Sequence, residues 1–372
     1  MYAPGCGPAP AGTTGPVTRL RRVSCTDPGL ARRKCGRGWI YTDVNGHRVT
    51  DPAVLARIEA LVIPPAWEDV WICTAPNGHL QAVGTDAKGR RQYRYHDAWR
   101  TARDRAKFDR MLAFGATLPP LRAACLELLL TGGTGQEVVL AGAVRLLDLG
   151  CFRIGSDKST EENETFGLTT LERRHVGVRP PEIRFAYPGK GGVSQQMAFA
   201  DELAADLVQS LKRRRGGDDR LLAWREGRAG AWRGLSAADV NRFIHDVTGG
   251  PFSAKDFRTL RATVLAAGEL GRAQLSGADR VSEAARKRSV AAVMRRTSGF
   301  LGNTPAVCRN SYVDPRVVDR YRSGHTVAEA GPEVARVLGD DVDLTTTVPQ
   351  AVLEGAVLPW LAEPEEAEAT AA

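Results

Sequence analysis

The stretch 253–322 carries 14 lysines and arginines against 6 acidic residues, with Tyr312 inside it. A cationic surface of that density attracts a polyanion, and duplex DNA is the commonest one. A solvated, arginine-rich face is the plainer alternative. Other reagents have no home in the pattern. The chain has no Walker loop, no H-E-x-x-H and no acidic residues at metal-ligand spacing, so no metal, nucleotide or other cofactor is expected. Its 6 histidines form no cluster and its 7 cysteines never form C-x-x-C. Such spacing argues against zinc or a disulfide framework and for a reducing, cytoplasmic setting. Guanidinium groups and a tyrosine remain. Cleaving a phosphodiester without a metal demands another way to stabilise charge on pentavalent phosphorus, and the planar guanidinium fork matches the non-bridging oxygens.

These residues need elements to position them. The 372 residues suffice for two domains, and 43% hydrophobic with 25% charged is a globular composition. No apolar run approaches the ~20 residues of a membrane span, and the Gly/Pro/Ala-rich start lacks the regions of a secretory signal. Charge divides the chain: the net is +8 overall but −8 from residue 331 onward, hence +16 before it. The pattern predicts a loose basic arm over 1–35, a β-rich unit over 36–97, a mainly helical unit over 98–330 and a solvated acidic tail over 331–372. In the β-rich unit, Trp39-Ile40-Tyr41-Thr42 and Trp71-Ile72-Cys73-Thr74 read as strands. Asn45-Gly46 and Asn77-Gly78 read as turns, and Asp51-Pro52 as a helix start. Apolar spacing of three and four predicts helices over 98–115, 120–131, 136–149, 197–214, 236–248, 253–268 and 279–298. A hairpin over 182–197 interrupts them, with Lys190 at its tip in Pro188-Gly189-Lys190-Gly191-Gly192. The fold class is α+β.

Several segments then stand in a telling order. Phe152-Arg153-Ile154-Gly155-Ser156-Asp157-Lys158 continues through Glu162-Asn163-Glu164-Thr165-Phe166-Gly167-Leu168-Thr169-Thr170-Leu171. The lysine turn follows, then Lys255-Asp256-Phe257-Arg258-Thr259, then Asn303-Thr304-Pro305 leading to Asn310-Ser311-Tyr312-Val313. Nearer the N-terminus lies Gly89-Arg90-Arg91-Gln92-Tyr93-Arg94-Tyr95. This ordered set resembles the type IB DNA topoisomerases, most of all their compact poxviral and bacterial branch, over about residues 36–325.

The resemblance implies a β-rich module and a helical catalytic module, of the kind shared with tyrosine recombinases, forming a clamp on duplex DNA. It implies that Tyr312 attacks phosphorus and forms a 3′-phosphotyrosyl bond, that Arg153 and Arg258 hold the non-bridging oxygens, and that Lys190 protonates the leaving 5′-oxygen. Many family members carry histidine where this chain has Asn303. An amide there can donate to a phosphoryl oxygen, aided by a helix N-terminus at Thr304-Pro305, or simply cap that helix. Gln92 would read a base edge, with Tyr93 and Tyr95 on sugar or phosphate. Lys158 and Lys255 are further expected DNA contacts. Ser156 and Ser159 replace a lysine and a tyrosine of some relatives, which puts strict sequence preference in doubt. The expected protein is a monomer acting on duplex DNA without membrane or nucleotide. Two rivals remain: a tyrosine recombinase, whose His-x-x-Arg slot Lys255-Asp256-Phe257-Arg258 would fill, and a non-enzymatic DNA-binding relative.

Overall fold

A computed structural model describes residues 19–227, 229–277 and 282–363. Residues 1–18 of the expected arm and 364–372 of the expected tail lie outside the described residues. The chain divides between Lys107 and Phe108 into two compact units, each with its own apolar core.

In the first unit, β1 (Gly29–Cys35), β2 (Gly38–Thr42), β3 (Glu68–Cys73), β4 (Leu80–Thr85) and β5 (Arg91–Tyr95) form an antiparallel sheet in the order β2-β1-β3-β4-β5. Helix α1 (Pro52–Ala60) packs Ile58 against Leu30, Val70, Ile72 and Ala82. Asp51 caps it by accepting from Ala53 N at 2.8 Å, and Pro52 fills the first turn, where no N–H is needed. One expectation fails. Gly29–Cys35, read as part of a loose arm, is a strand paired on both sides. Its basic residues disguise it: the Arg32 guanidinium donates to the carbonyls of Ile63, Pro64 and Trp67 and lies 4.1 Å from the Trp39 ring centroid.

Helix α2 (Asp97–Thr131) is a single helix where two were expected, with Pro119 and Pro120 inside it. By length and composition alone it is apolar enough to cross a membrane, although it holds no unbroken apolar run. Its apolar residues recur at helical spacing, as those of a core helix do. Met111, Phe114, Leu118, Leu121 and Cys125 are buried in the second unit's core.

That unit continues with α3 (Gln136–Gly150), α4 (Asp157–Asn163) and a three-stranded sheet of β6 (Val176–Arg179), β7 (Glu182–Pro188) and β8 (Ser194–Ala200). Lys190 sits in the turn between β7 and β8, as the pattern predicts. Helix α5 (Glu202–Arg213) starts after β8, so the helix expected from 197 begins late. The short pair β9 (Ala223–Trp224) and β10 (Arg233–Gly234) precedes α6 (Ala237–Thr248), α7 (Ala254–Leu275), α8 (Glu283–Leu301), α9 (Pro305–Ser311) and α10 (Pro315–Arg322). Helix α7 is buried on almost every side.

The acidic tail is corrected most. Helices α11 (Pro332–Val337) and α12 (Thr347–Ala362) pack into the core through Val334, Leu338, Leu344, Leu353, Val357 and Leu361. Glu354 is 5% exposed; it pairs with Arg122 at 2.8 Å and with Arg261 of α7 at 3.9 Å. Counting charges concealed the 353-357-361 stripe, which has helical spacing.

Candidate active site

Helix α7 organises the site. Asp256 holds its N-terminus, accepting from Ser253 N at 2.8 Å and from Arg110 Nη2 at 2.6 Å. Arg258 follows in the first turns and is 4% exposed. Its guanidinium donates to the carbonyls of Cys151 and, at 2.8 Å, Leu301, and lies 5.1 Å from the Tyr312 ring centroid. Further along, the Thr263 hydroxyl donates to Tyr312 O and accepts from Asp314 N, both at 3.1 Å. Tyr312 directly follows α9 and closes it, its N–H donating to Cys308 O at 2.9 Å. Its main chain is thereby pinned to α7. Its side chain lines an open cleft of about 680 Å³ with Arg153, Lys190, Gln195, Asn303 and Thr304.

Arg153 enters from the loop between α3 and α4. Gly155, at φ +90°, packs so closely on Gly167 that a Cβ on Gly167 would lie 2.4 Å from Gly155 N. Across that contact Leu168 N donates to Arg153 O at 2.8 Å and Thr169 N to Ile154 O at 2.9 Å. The segment after the first arginine is therefore a buttress that fixes the backbone beneath Arg153. The Arg153 guanidinium donates to Gly302 O at 3.1 Å and to Asn303 Oδ1. Asn303 does not cap α9. Thr304 does, accepting from Val307 N at 3.3 Å. Lys190 is exposed at the hairpin tip. Behind it Gln195 is wedged between two glycines: a Cβ on Gly189 would lie 2.6 Å from its Cγ, and one on Gly302 2.0 Å from its Oε1.

Among the described residues, oxygens of carbonyls and an amide hold Arg153 and Arg258, and no carboxylate pairs with either. Burial, and next the charge of Arg258, lower the pKa of Arg153. Burial pushes the Tyr312 phenol up. Arg258, by charge and hydrogen bond, then pulls it down with help from Arg153 and Lys255, and the net lies below the ordinary value. Two donors here, Arg258 Nε and Asn303 Nδ2, are buried without a partner. Un-neutralised cations and unfilled donors around an acidified phenol suit a phosphoryl group.

The other expected residues divide. Lys255 is exposed on the first turn of α7, and its charge acts on Tyr312. Lys158 stands on α4, its side chain 81% exposed and 3.8 Å from Glu162, and does not line the cleft. In the first unit, β5 separates three residues that were read together. Tyr93 and Tyr95 share its exposed face, rings stacked with centroids 6.2 Å apart. Gln92 projects to the other face and donates to Asp86 Oδ2 at 2.9 Å, beside Arg90. Sequence reasoning missed Thr263 and Gln195. Neither belongs to a charged motif, and only their helix and hairpin positions beside Arg258 and Lys190 hint at them.

Comparison with known proteins bears on the family of the chain. Residues 38–86 match the family described as bacterial DNA topoisomerase IB, N-terminal domain, and residues 96–330 match eukaryotic DNA topoisomerase I, catalytic core. The chain is similar to the DNA topoisomerase 1B of Acanthamoeba polyphaga mimivirus, 28% identical over 302 residues, covering 79% of this chain and 88% of the relative. It is also similar to DNA topoisomerase 1B of Vaccinia virus (strain Copenhagen), 28% identical over 139 residues, and to DNA topoisomerase I of Monkeypox virus, 30% identical over 139 residues. Each of those matches covers 37% of this chain and 42% of the relative.

Proposed function

This chain belongs to the type IB DNA topoisomerase family, and on that premise we propose that its second unit nicks and reseals duplex DNA through Tyr312. The phenol gives its proton to solvent water and attacks phosphorus. The P–O bond to the 5′-oxygen breaks, and a 3′-phosphotyrosyl bond takes its place. Arg153 and Arg258 hold the two non-bridging oxygens while negative charge builds on them, and Asn303 Nδ2 donates to one. Lys190 gives its proton to the departing 5′-oxygen, and a hairpin tip can reposition to do so. Resealing runs the same steps backwards. The energy of the broken bond is kept in the phosphotyrosyl link, so supercoils of either sign relax without ATP or metal. Gln92, Tyr93, Tyr95, Lys158 and Lys255 are proposed DNA contacts, and the protein is proposed to close on the duplex as a monomeric clamp in the cytoplasm.

The observation that carries this reading is the Tyr312 ring against the Arg258 guanidinium, with Arg153 and Asn303 in the same cleft. Plasmid relaxation in EDTA without ATP tests it, with Tyr312→Phe alongside. The wild type relaxes supercoils of both signs and leaves a covalent DNA adduct on SDS gels. The variant gives no adduct yet keeps its duplex affinity, because phosphate contacts elsewhere dominate binding. An absolute metal requirement for cleavage, or an adduct that survives in Tyr312→Phe, overturns the proposal.

A further inference from the structure

The segment expected to be a loose arm is fixed where it can be described. Arg21 N donates to Asn77 O and His79 N to Arg21 O, both at 2.9 Å, so Arg21 forms a bridge alongside the β3–β4 turn. Asn77 Nδ2 donates to Arg19 O at 3.1 Å, and Val23 N donates to His79 Nδ1 at 3.2 Å. Each of these bonds uses main-chain atoms of the segment. The side chains of Arg19, Arg21 and Arg22 take no part in them, and all three residues are exposed.

What the segment lies against matters more. The Arg22 guanidinium is 5.6 Å from the Trp99 ring centroid, Trp99 packs edge-on to His79 at 4.7 Å, His79 approaches Tyr95 at 6.2 Å, and Tyr95 stacks on Tyr93 at 6.2 Å. Arg91, on the same face of β5 as the two tyrosines, reaches Cys25 Sγ at 3.4 Å. One unbroken strip of aromatic rings thus connects the exposed tyrosines to the arginines. Among the described residues no carboxylate pairs with Arg19, Arg21 or Arg22, whereas Arg90 on the neighbouring turn is neutralised by Asp86 at 2.7 Å. Three guanidinium groups without a carboxylate partner, on a backbone already fixed by hydrogen bonds, avoid the main-chain part of the ordering cost on meeting an anion. Rings beside them supply the flat apolar contacts that sugars accept.

We propose that Arg19, Arg21 and Arg22 form a second phosphate-binding site, which lengthens the DNA contact of Tyr93 and Tyr95 along the duplex backbone. This rests on the reading of Tyr93 and Tyr95 as DNA contacts. The site is sequence-neutral, since it offers arginines to phosphate and rings to sugar but no amide pair for a base edge.

The test uses the full chain carrying Tyr312→Phe, so that binding is read without cleavage. Affinity for a duplex of about 30 base pairs is measured by fluorescence anisotropy from 50 to 300 mM salt, with neutralised phosphates read from the slope at about 0.9 per contact. The substitutions Arg19→Gln, Arg21→Gln and Arg22→Gln together are expected to flatten the slope by about 2 to 3 and to weaken binding about tenfold or more at 100 mM salt. The fold survives, because the segment is attached through its main chain. An equal change of net charge elsewhere in the same unit, Arg33→Gln with Lys34→Gln and Arg37→Gln, is the comparison and should leave the slope nearly intact. An unchanged slope in the first triple, or equal flattening in both, overturns the inference. A separate Tyr93→Ala, Tyr95→Ala protein examines the underlying reading. If it binds like its parent while the arginine triple fails, only the tyrosine assignment falls.

Discussion

Asn303 stands where the family resemblance leads one to expect a histidine, and its surroundings say what an amide can do there. Arg153 donates to its Oδ1, which leaves Nδ2 buried and unpartnered, in a residue that lines the same cleft as Tyr312. Capping falls to Thr304 instead. Asn303→Ala should therefore slow single-turnover cleavage roughly 10²-fold, the usual cost of one oxyanion donor, with little loss of thermal stability. Asn303→His should keep much of the activity. An alanine variant that cleaves at the wild-type rate but melts lower would return Asn303 to a structural role. Lys190 invites a different experiment, since a general acid matters only when the leaving group needs a proton. Lys190→Ala should cleave ordinary DNA slowly yet cleave a substrate with sulfur at the bridging 5′ position almost as fast as wild type, because a thiolate leaves unaided. Arg153→Ala and Arg258→Ala should show no such rescue. Equal defects of Lys190→Ala on both substrates would pass the role to Lys255, whose charge already reaches Tyr312.

Two elements meet behind the lysine turn. The β7–β8 hairpin contributes Gln195, and the end of α8 contributes Gly302, which sits at φ +61° with no room for a side chain. Gly302→Ala should cost about 1 kcal/mol for the left-handed backbone alone. It should also push the Gln195 amide away and displace the hairpin from Asn303. Cleavage is then expected to fall while duplex affinity holds. Adding Gln195→Ala relieves the clash but not the backbone strain, so the double variant should regain rate without regaining melting temperature. If rate and stability recover together or not at all, the two elements are not coupled through this contact.

Across the whole molecule, the reach of the sequence followed the range of the interactions. Capping at Asp51-Pro52, the hairpin turn at Lys190 and the helix over 236–248 depend on neighbours a few residues away, and they form as predicted. The ordered arginine, lysine and tyrosine segments were also legible, and the fold gathers Arg153, Lys190 and Tyr312 around one cleft, with Arg258 against the tyrosine ring. Long-range pairings were not legible. Nothing local says that Arg32 satisfies carbonyls 31 to 35 residues away, or that Glu354 answers Arg122 across 232 residues. Charge counting therefore misread Gly29–Cys35 and the helices α11 and α12. The tail supplies a stability prediction. Ending the chain at residue 330 removes six buried aliphatic side chains, each worth about 1.5–3 kcal/mol, and leaves Arg122 and Arg261 without Glu354. A typical domain has only about 5–15 kcal/mol to lose. The shortened protein should lack a cooperative thermal transition and should not relax plasmid. A sharp melt near that of the full chain would mean the tail is dispensable.

One small feature has a mechanical side. The Thr263 hydroxyl grips the main chain on both sides of Val313, between Tyr312 O and Asp314 N. In the covalent intermediate proposed above, with a DNA strand joined to Tyr312, the untwisting duplex would exert torque on that single side chain. On the proposed mechanism the force passes through these two hydrogen bonds of 3.1 Å into a helix buried on almost every side. If Tyr312 is the nucleophile, as proposed, such an anchor would hold the 3′ phosphorus in place while the other end swings, so that a returning 5′-hydroxyl meets it where it left.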